Sequence, residues 1–323
     1  MKSELNERYS MTIYRLLKLV VRIISRIPLR IGQFCGRMLG RAFAMIIVRR
    51  TKVSLDNLRK VFGNQLDEDE IKRLNIKVAM HFGQMLFEVP HILRLNHANL
   101  DRYVLFENEQ NLLKAIEKEK GVFMLTAHFG NWELMSVALS LKFAPDGAGA
   151  IVVRPIDFLA ADILIRDLRS RFGTKIIPKQ HGIRSILRAI KENKIVGILL
   201  DQNMDWYEGV FVPFLGLPAC TNKGLALMAY KTKAPVIPAF SVKEADGRYR
   251  IIFEKEVDLI RTGDKTRDIE ENTAFFTKII ERYVRQYPDQ WFWFHKRWKT
   301  KPFCQLPDTG DMTYAESSSK KED

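Results

Sequence analysis

The sequence predicts an α/β fold: a layered domain around a largely parallel, partly mixed sheet flanked by helices. Three observations carry this. From about residue 100 onward, short apolar runs of strand length alternate with segments of helical periodicity, the pattern of parallel strands joined by helical crossovers. The runs are bounded by turn residues and rich in Val, Ile and Phe. The last two, PVIPAFSV (235–242) and YRIIFE (249–254), are separated by KEADGR, whose KEADG turn reads as a hairpin and so mixes the sheet.

In chain order the remaining strands are expected at VLFE (104–107), VFMLTA (122–127), AIVV (150–153), KIIP (175–178) and IVGILL (195–200). Helices are expected at 108–119, 131–142, 157–171, 183–193, 221–232 and 268–286. Upstream, residues 67–95 read as a helix. Asp67, Glu68, Asp69 and Glu70 stand near the positive end of its dipole. Ile71, Leu74, Val78, His81, Met85 and Val89 recur at three and four, and Pro90 ends or kinks it. There are no internal repeats. The organisation reads as a basic helical segment over 1–62, an α/β domain over 63–305, and a polar, disordered tail over 306–323.

The chain carries a net charge of +14, unevenly placed. Residues 1–62 hold fourteen Lys/Arg against three acids, which implies an anionic partner. Arg15, Lys18, Arg22, Arg26 and Arg30 recur at three and four, on an arc of roughly 120°, and Arg37 and Arg41 continue them. Leu16, Leu17, Val20, Val21, Ile23, Ile24 and Ile27 occupy most of the remainder. A cation in every turn argues against a secretory signal and against a spanning helix. A helix lying in the plane of an anionic membrane surface fits best; an amphipathic helix packed on its own domain is the alternative. The apolar arc is too wide for a nucleic-acid-tracking face.

The three cysteines, Cys35, Cys220 and Cys304, form no C-x-x-C pair, so neither a zinc cage nor a disulfide framework is expected. No dinucleotide fingerprint, P-loop, H-E-x-x-H or G-x-S-x-G is present. No metal or organic cofactor is called for.

The tripeptide His-Phe-Gly occurs twice, at 81–83 and 128–130. His81 shares the apolar stripe of a helix and has Leu86 at +5, so it reads as a core histidine. His128 ends a strand-like run, and Gly130–Asn131 follow as a turn. Asn131 is a fitting N-cap, with Glu133 in the helix's first turn. Of the six histidines, only His128 has an acid at +5. A continuous strand or helix would separate His128 from Glu133; a strand–turn–helix corner brings them together. A carboxylate on one imidazole nitrogen raises the basicity of the other, which then accepts a proton from a hydroxyl. Spacing alone is weak support for such a dyad.

Ordered blocks add to it: TAHFGNWE (126–133), VVRP (152–155), LLDQN (199–203), EGVFVPFLGLPACTNKG (208–224), APVIPAF (234–240) and YPDQWFWFHKRWKT (287–300). Together these resemble the late acyltransferases of lipid A biosynthesis, the lauroyl and myristoyl transferases, a branch of the H-x4-D/E lysophospholipid acyltransferase-like superfamily. The resemblance runs from about residue 30 to 300. It implies transfer of a fatty acyl chain from acyl carrier protein to a hydroxyl of a lipid A precursor, in lipopolysaccharide biosynthesis at the cytoplasmic face of the inner membrane. It also implies His128 as general base, Glu133 as its paired acid, and Arg154 and Asp201 as residues important for activity. In this reading Gly130 and Asn131 offer backbone donors at the turn. Arg154 meets an oxyanion or a phosphate. VFVPFLGLP, with Phe214, lines an acyl channel, although core packing explains that stretch as well. Where glycerolipid acyltransferases carry an F-P-E-G-T-R-like block, this chain reads FVPFLG, which argues against a glycerol-phosphate acceptor. Two alternatives stand beside it: another glycolipid acceptor such as a phosphatidylinositol mannoside, or a non-catalytic membrane-surface binding protein.

Overall fold

A computed structural model of the chain describes residues 2–302 except 47, 145–146 and 181, with side chains from residue 10 onward except 47–49, 145–146 and 181. The expected polar tail and Cys304 lie outside the described residues. Three helices open the chain: α1 (Lys2–Ile24), α2 (Leu29–Ile46) and α3 (Val48–Phe62). Pro28 cannot continue α1, so the expected single stripe of cations is split. Arg15, Lys18 and Arg22 belong to α1; Arg30, Arg37 and Arg41 belong to α2. α1 lies along α7 (Leu159–Arg169), where Tyr14 donates to Asp167. Leu16, Leu19, Val20 and Ile23 on α1, and Ile31, Phe34, Met38, Leu39, Met45 and Ile46 on α2, are exposed. Among the described residues no single helix is long and apolar enough to cross a membrane.

α4 (Glu68–Glu88) begins on a capping box: the Asp67 side chain accepts from the Glu70 N–H, and the Glu70 carboxylate accepts from the Asp67 N–H. It ends at Glu88, and a 3₁₀ turn, Val89–Arg94, continues through Pro90. α2 crosses α4 at backbone contact. Gly36 and Gly40 face Gly83, and a Cβ at any of the three would overlap the opposing main chain.

The seven-stranded sheet comprises β1 (Val104–Glu107), β2 (Val122–Thr126), β3 (Gly149–Val153), β4 (Lys175–Pro178), β5 (Ile195–Leu199), β8 (Val236–Lys243) and β9 (Tyr249–Phe253). Its order is β1-β9-β8-β2-β5-β3-β4. β8, β2, β5, β3 and β4 run parallel; the β8–β9 hairpin reverses direction and β1 follows β9. The sheet is therefore mostly parallel and mixed, as the alternation and the KEADG turn indicate. The connecting helices are α5 (Glu109–Ile116), α6 (Trp132–Phe143), α7, α8 (Ile183–Lys191), α9 (Gly224–Thr232) and α10 (Lys265–Gln286).

β2 is central and buried along its whole length. Its alternate residues serve two cores. Phe123 and Leu125 pack with α8, α9, α10 and the terminal tryptophans; Val122 and Met124 pack with α5 and α6. Each such side chain contributes roughly 1.5–3 kcal/mol by leaving water, so the register of β2 is firmly set. One element departs from expectation. VFVPFLGLP, where no strand is expected, lies in a hairpin, β6 (Gly209–Phe214) and β7 (Leu217–Asn222), turning through Leu215 and Gly216, both at positive φ.

Candidate active site

β2 and β5 are hydrogen-bonded neighbours with Thr126 opposite Leu199. Two residues beyond this pair stand His128 on one strand and Asp201 on the other. Parallel register alone brings them together above the C-terminal edge of the sheet, where open α/β folds place their sites. The contact is twofold. His128 Nδ1 lies 2.8 Å from one Asp201 oxygen, and the His128 backbone N–H donates to the other at 3.0 Å. Trp291 Nε1 donates to the second oxygen at 2.7 Å. Burial alone would raise the Asp201 pKa. The imidazoles of His128 and His295 beside it and the hydrogen bonds from His128 and Trp291 overcome it and hold the carboxyl well below the usual range. An ionised Asp201 accepts only, so Nδ1 carries the proton and Nε2 is left with its lone pair. The Gln202 side-chain N–H donates to Nε2 at 3.3 Å, and the His128 side chain is 22% exposed.

The partner of His128 is thus Asp201, not the residue at +5. The corner itself forms as expected: β2 ends, the chain turns through Gly130, and α6 begins with Asn131 as N-cap, its side chain accepting from the Leu134 N–H at 3.0 Å. Glu133 lies in the first turn, but its carboxylate points toward α7. Both oxygens are taken by Arg169, at 2.7 and 2.5 Å, and Trp132 Nε1 donates to one of them. An arginine fork held on both carboxylate oxygens outcompetes a single imidazole contact. Glu133 reaches His128 only through Trp132, whose ring stands edge-on to the imidazole at 5.1 Å between centroids.

Gly130 has φ +57, and a Cβ there would overlap the Ser241 carbonyl oxygen, so only glycine fits. Asn131 is fully buried, and its Nδ2 donates to Glu88 at 3.3 Å. Arg154 follows β3 at the same end of the sheet; it is exposed and meets Asp157 at 3.3 Å. Phe214 is elsewhere. It is fully buried, packed on Trp291 and Trp298 with Arg297 over its ring, so it supports the core and does not line a channel.

Residues that the sequence reading left aside complete the site. Arg297 is wholly buried and donates to the carbonyls of Gln202 and Cys220 and to the Thr221 hydroxyl, tying the loop after β5 to β7. Burial lowers its pKa to about 10, still charged at neutral pH. His295 sits beneath the same loop, against the carbonyls of Phe292 (2.7 Å) and Asp201 (3.2 Å), and burial pushes its pKa down to about 4. The block WFWFHKRW is therefore the floor under His128 and Asp201. Its aromatic density was the available signal, but a buried arginine without a carboxylate partner has no local sequence mark.

Trp132 and Phe292, which flank the imidazole, also line an apolar cavity of about 740 Å³. Phe43 from α2, Phe82 and Leu86 from α4, and Leu164, Ile165 and Leu168 from α7 form its walls. The volume falls within the ~300–1,000 Å³ typical of small-molecule sites. Among the described residues no cluster of His, Cys, Asp and Glu suits a metal ion.

At the C-terminal edge of the sheet, then, an imidazole is held by a buried aspartate and flanked by two aromatic rings that also line an apolar cavity. The model of the bacterial lipid A biosynthesis acyltransferases matches residues 3–300, and the chain belongs to that family. It is similar to the lipid A biosynthesis lauroyltransferase of Escherichia coli (strain K12), at 24% identity over 286 residues, covering 88% of this chain and 89% of that protein. A palmitoleoyltransferase of the same organism is also 24% identical, over 86% of this chain and 88% of its own length. A phosphatidylinositol mannoside acyltransferase of Mycolicibacterium smegmatis is 22% identical, over 75% and 77%.

Proposed function

We propose that this acyltransferase moves a fatty acyl chain from an acyl carrier protein thioester to a hydroxyl of a lipid A precursor, with His128 as general base. The observation that carries the reading is the Asp201–His128 pair, whose flanking rings Trp132 and Phe292 line the apolar cavity. His128 Nε2 takes the proton of the acceptor hydroxyl, and the Asp201 carboxylate stabilises the imidazolium that forms. The alkoxide oxygen bonds to the thioester carbonyl carbon. The oxyanion meets the N–H groups at the start of α6, which have no intrahelical acceptor. The C–S bond then breaks, and the imidazolium returns its proton to the leaving thiolate. Glu133, fixed on Arg169, holds Trp132 against the imidazole. Arg154 at the exposed rim meets a phosphate of donor or acceptor. The acyl chain lies in the cavity, each buried methylene contributing about 0.8 kcal/mol.

The exposed aliphatic residues of α1 and α2, with their cations, rest on the anionic cytoplasmic face of the inner membrane and place the cavity at the lipid surface. The relative acting on a phosphatidylinositol mannoside keeps a second glycolipid acceptor as the alternative. Mass spectrometry of lipid A from cells with and without the gene tests the acceptor. One acyl chain fewer without the gene is expected; an unchanged acyl count refutes it. Purified His128→Gln should fold and transfer nothing measurable, and full turnover by it removes the general-base role.

A further inference from the structure

The two His-Phe-Gly copies meet in the fold. His81, fully surrounded within α4, places Nε2 3.2 Å from the Gly130 carbonyl oxygen. A carbonyl only accepts, so His81 donates through Nε2–H. On its other side the Gly130 N–H donates to the Gln290 carbonyl at 2.9 Å. Seven residues on, at the end of the same helix, Glu88 accepts from the Asn131 side chain. The Tyr249 hydroxyl donates to that Glu88 oxygen at 2.7 Å, and Lys243 and Gln33 donate to the other. α4 therefore grips the catalytic turn at both residues of one peptide unit.

That peptide needs holding. Glycine at positive φ rotates at little steric cost, so the plane between Gly130 and Asn131 can flip. Its carbonyl and the Asn131 N–H lie in one plane and point opposite ways in the trans form. Holding the carbonyl toward His81 therefore fixes the direction of the N–H that leads into α6. The Asn131 N–H itself meets no acceptor among the described residues.

We propose that His81 is a positioning residue: its hydrogen bond locks the Gly130–Asn131 peptide, and with it the α6 first-turn N–H groups that receive the oxyanion, while Glu88 holds the Asn131 side chain behind them. The proposal rests on the acyl-transfer reading and adds a role for a histidine that touches no substrate.

The test compares two substitutions. His81→Phe keeps an aromatic ring, slightly larger than imidazole, against Phe82 and Tyr249 but has no N–H. His81→Gln supplies an amide N–H at similar reach. For His81→Phe, kcat should fall at least about tenfold with KM for donor and acceptor within about twofold, the signature of an interaction made only in the transition state. His81→Gln should stay within about threefold of wild type, at a melting temperature no higher than that of His81→Phe. Wild-type kcat in His81→Phe, or equal losses in both variants, overturns the proposal. A measurement on the intact protein needs no variant to fold: ¹⁵N-histidine spectra should show His81 as the neutral Nε2–H tautomer from about pH 6 to 8. An Nδ1–H tautomer there also overturns it. If the wild-type protein transfers no acyl group, the functional reading fails, while the tautomer still decides the His81 contact.

Discussion

Replacing Asp201 by asparagine separates the two carboxylates that compete for the role of partner to His128. Asp201 accepts three hydrogen bonds, from the His128 N–H (3.0 Å), His128 Nδ1 (2.8 Å) and Trp291 Nε1 (2.7 Å). An asparagine has one acceptor oxygen. The Trp291 and His128 main-chain donors both converge on Oδ2, so that oxygen is retained there and the NH₂ group turns toward Nδ1. Nδ1 must then accept, the proton moves to Nε2, and the nitrogen that should receive the hydroxyl proton becomes a donor. The imidazolium also loses its counter-charge. Such a tautomer error costs on the order of 10³–10⁴ in kcat, about 4–5.5 kcal/mol of barrier. Single-turnover transfer from an acyl carrier protein thioester measures it, with circular dichroism to confirm the fold. Glu133→Gln keeps an acceptor for one Arg169 contact and should cost far less in kcat than Asp201→Asn. If Asp201→Asn retains kcat within about threefold while Glu133→Gln loses 10³, the pairing argued from the strand register is refuted.

Gly130→Ala should abolish transfer and lower stability by about 2–4 kcal/mol, since the methyl group meets the Ser241 carbonyl and φ is positive; a urea melt matching wild type would contradict the packing. His295 stays neutral in the fold down to about pH 4, whereas an unfolded histidine protonates near 6.5. The unfolded state therefore binds the extra proton in that window, and stability rises with pH from about 4 to 6.5, by about 3 kcal/mol for this one group. His295→Gln should flatten that slope in melts taken across the window, and an unchanged slope assigns it to other groups. Leu19→Glu with Ile23→Glu should weaken flotation with anionic vesicles, and salt should weaken wild-type binding as well; salt-insensitive binding by the variant would remove α1 from the membrane contact.

The strands were legible because each apolar run is short and bounded by turn residues, whether its strand is buried throughout, as β2 is, or partly exposed, as β4 is. Expected and observed limits for β1, β4 and β9 agree within a residue. The helix limits followed from local chemistry as well: acids and a capping box at 67–70, Pro90 after Glu88, Asn131 ahead of α6. The β6–β7 hairpin escaped notice because its turn is Leu-Gly, without the Asn or Asp that usually marks positive φ. At the site, His128 was picked out by its place at the end of a strand before a Gly-Asn turn. Glu133 was paired with it because five residues is a distance that a sequence can display.

The sequence by itself determined the strand–turn–helix corner that carries His128, and the family. These depend on local periodicity, turn residues and ordered blocks, all of which are written along the chain. Only the tertiary structure decided which carboxylate meets the imidazole. That choice depends on β5 pairing with β2 at Thr126–Leu199, which joins residues 73 positions apart, and on Arg169 of α7 occupying Glu133. It likewise decided that the histidine of the first tripeptide reaches the carbonyl of the second. Long-range register and side-chain competition are set by how the layers pack, and no spacing in the chain encodes them.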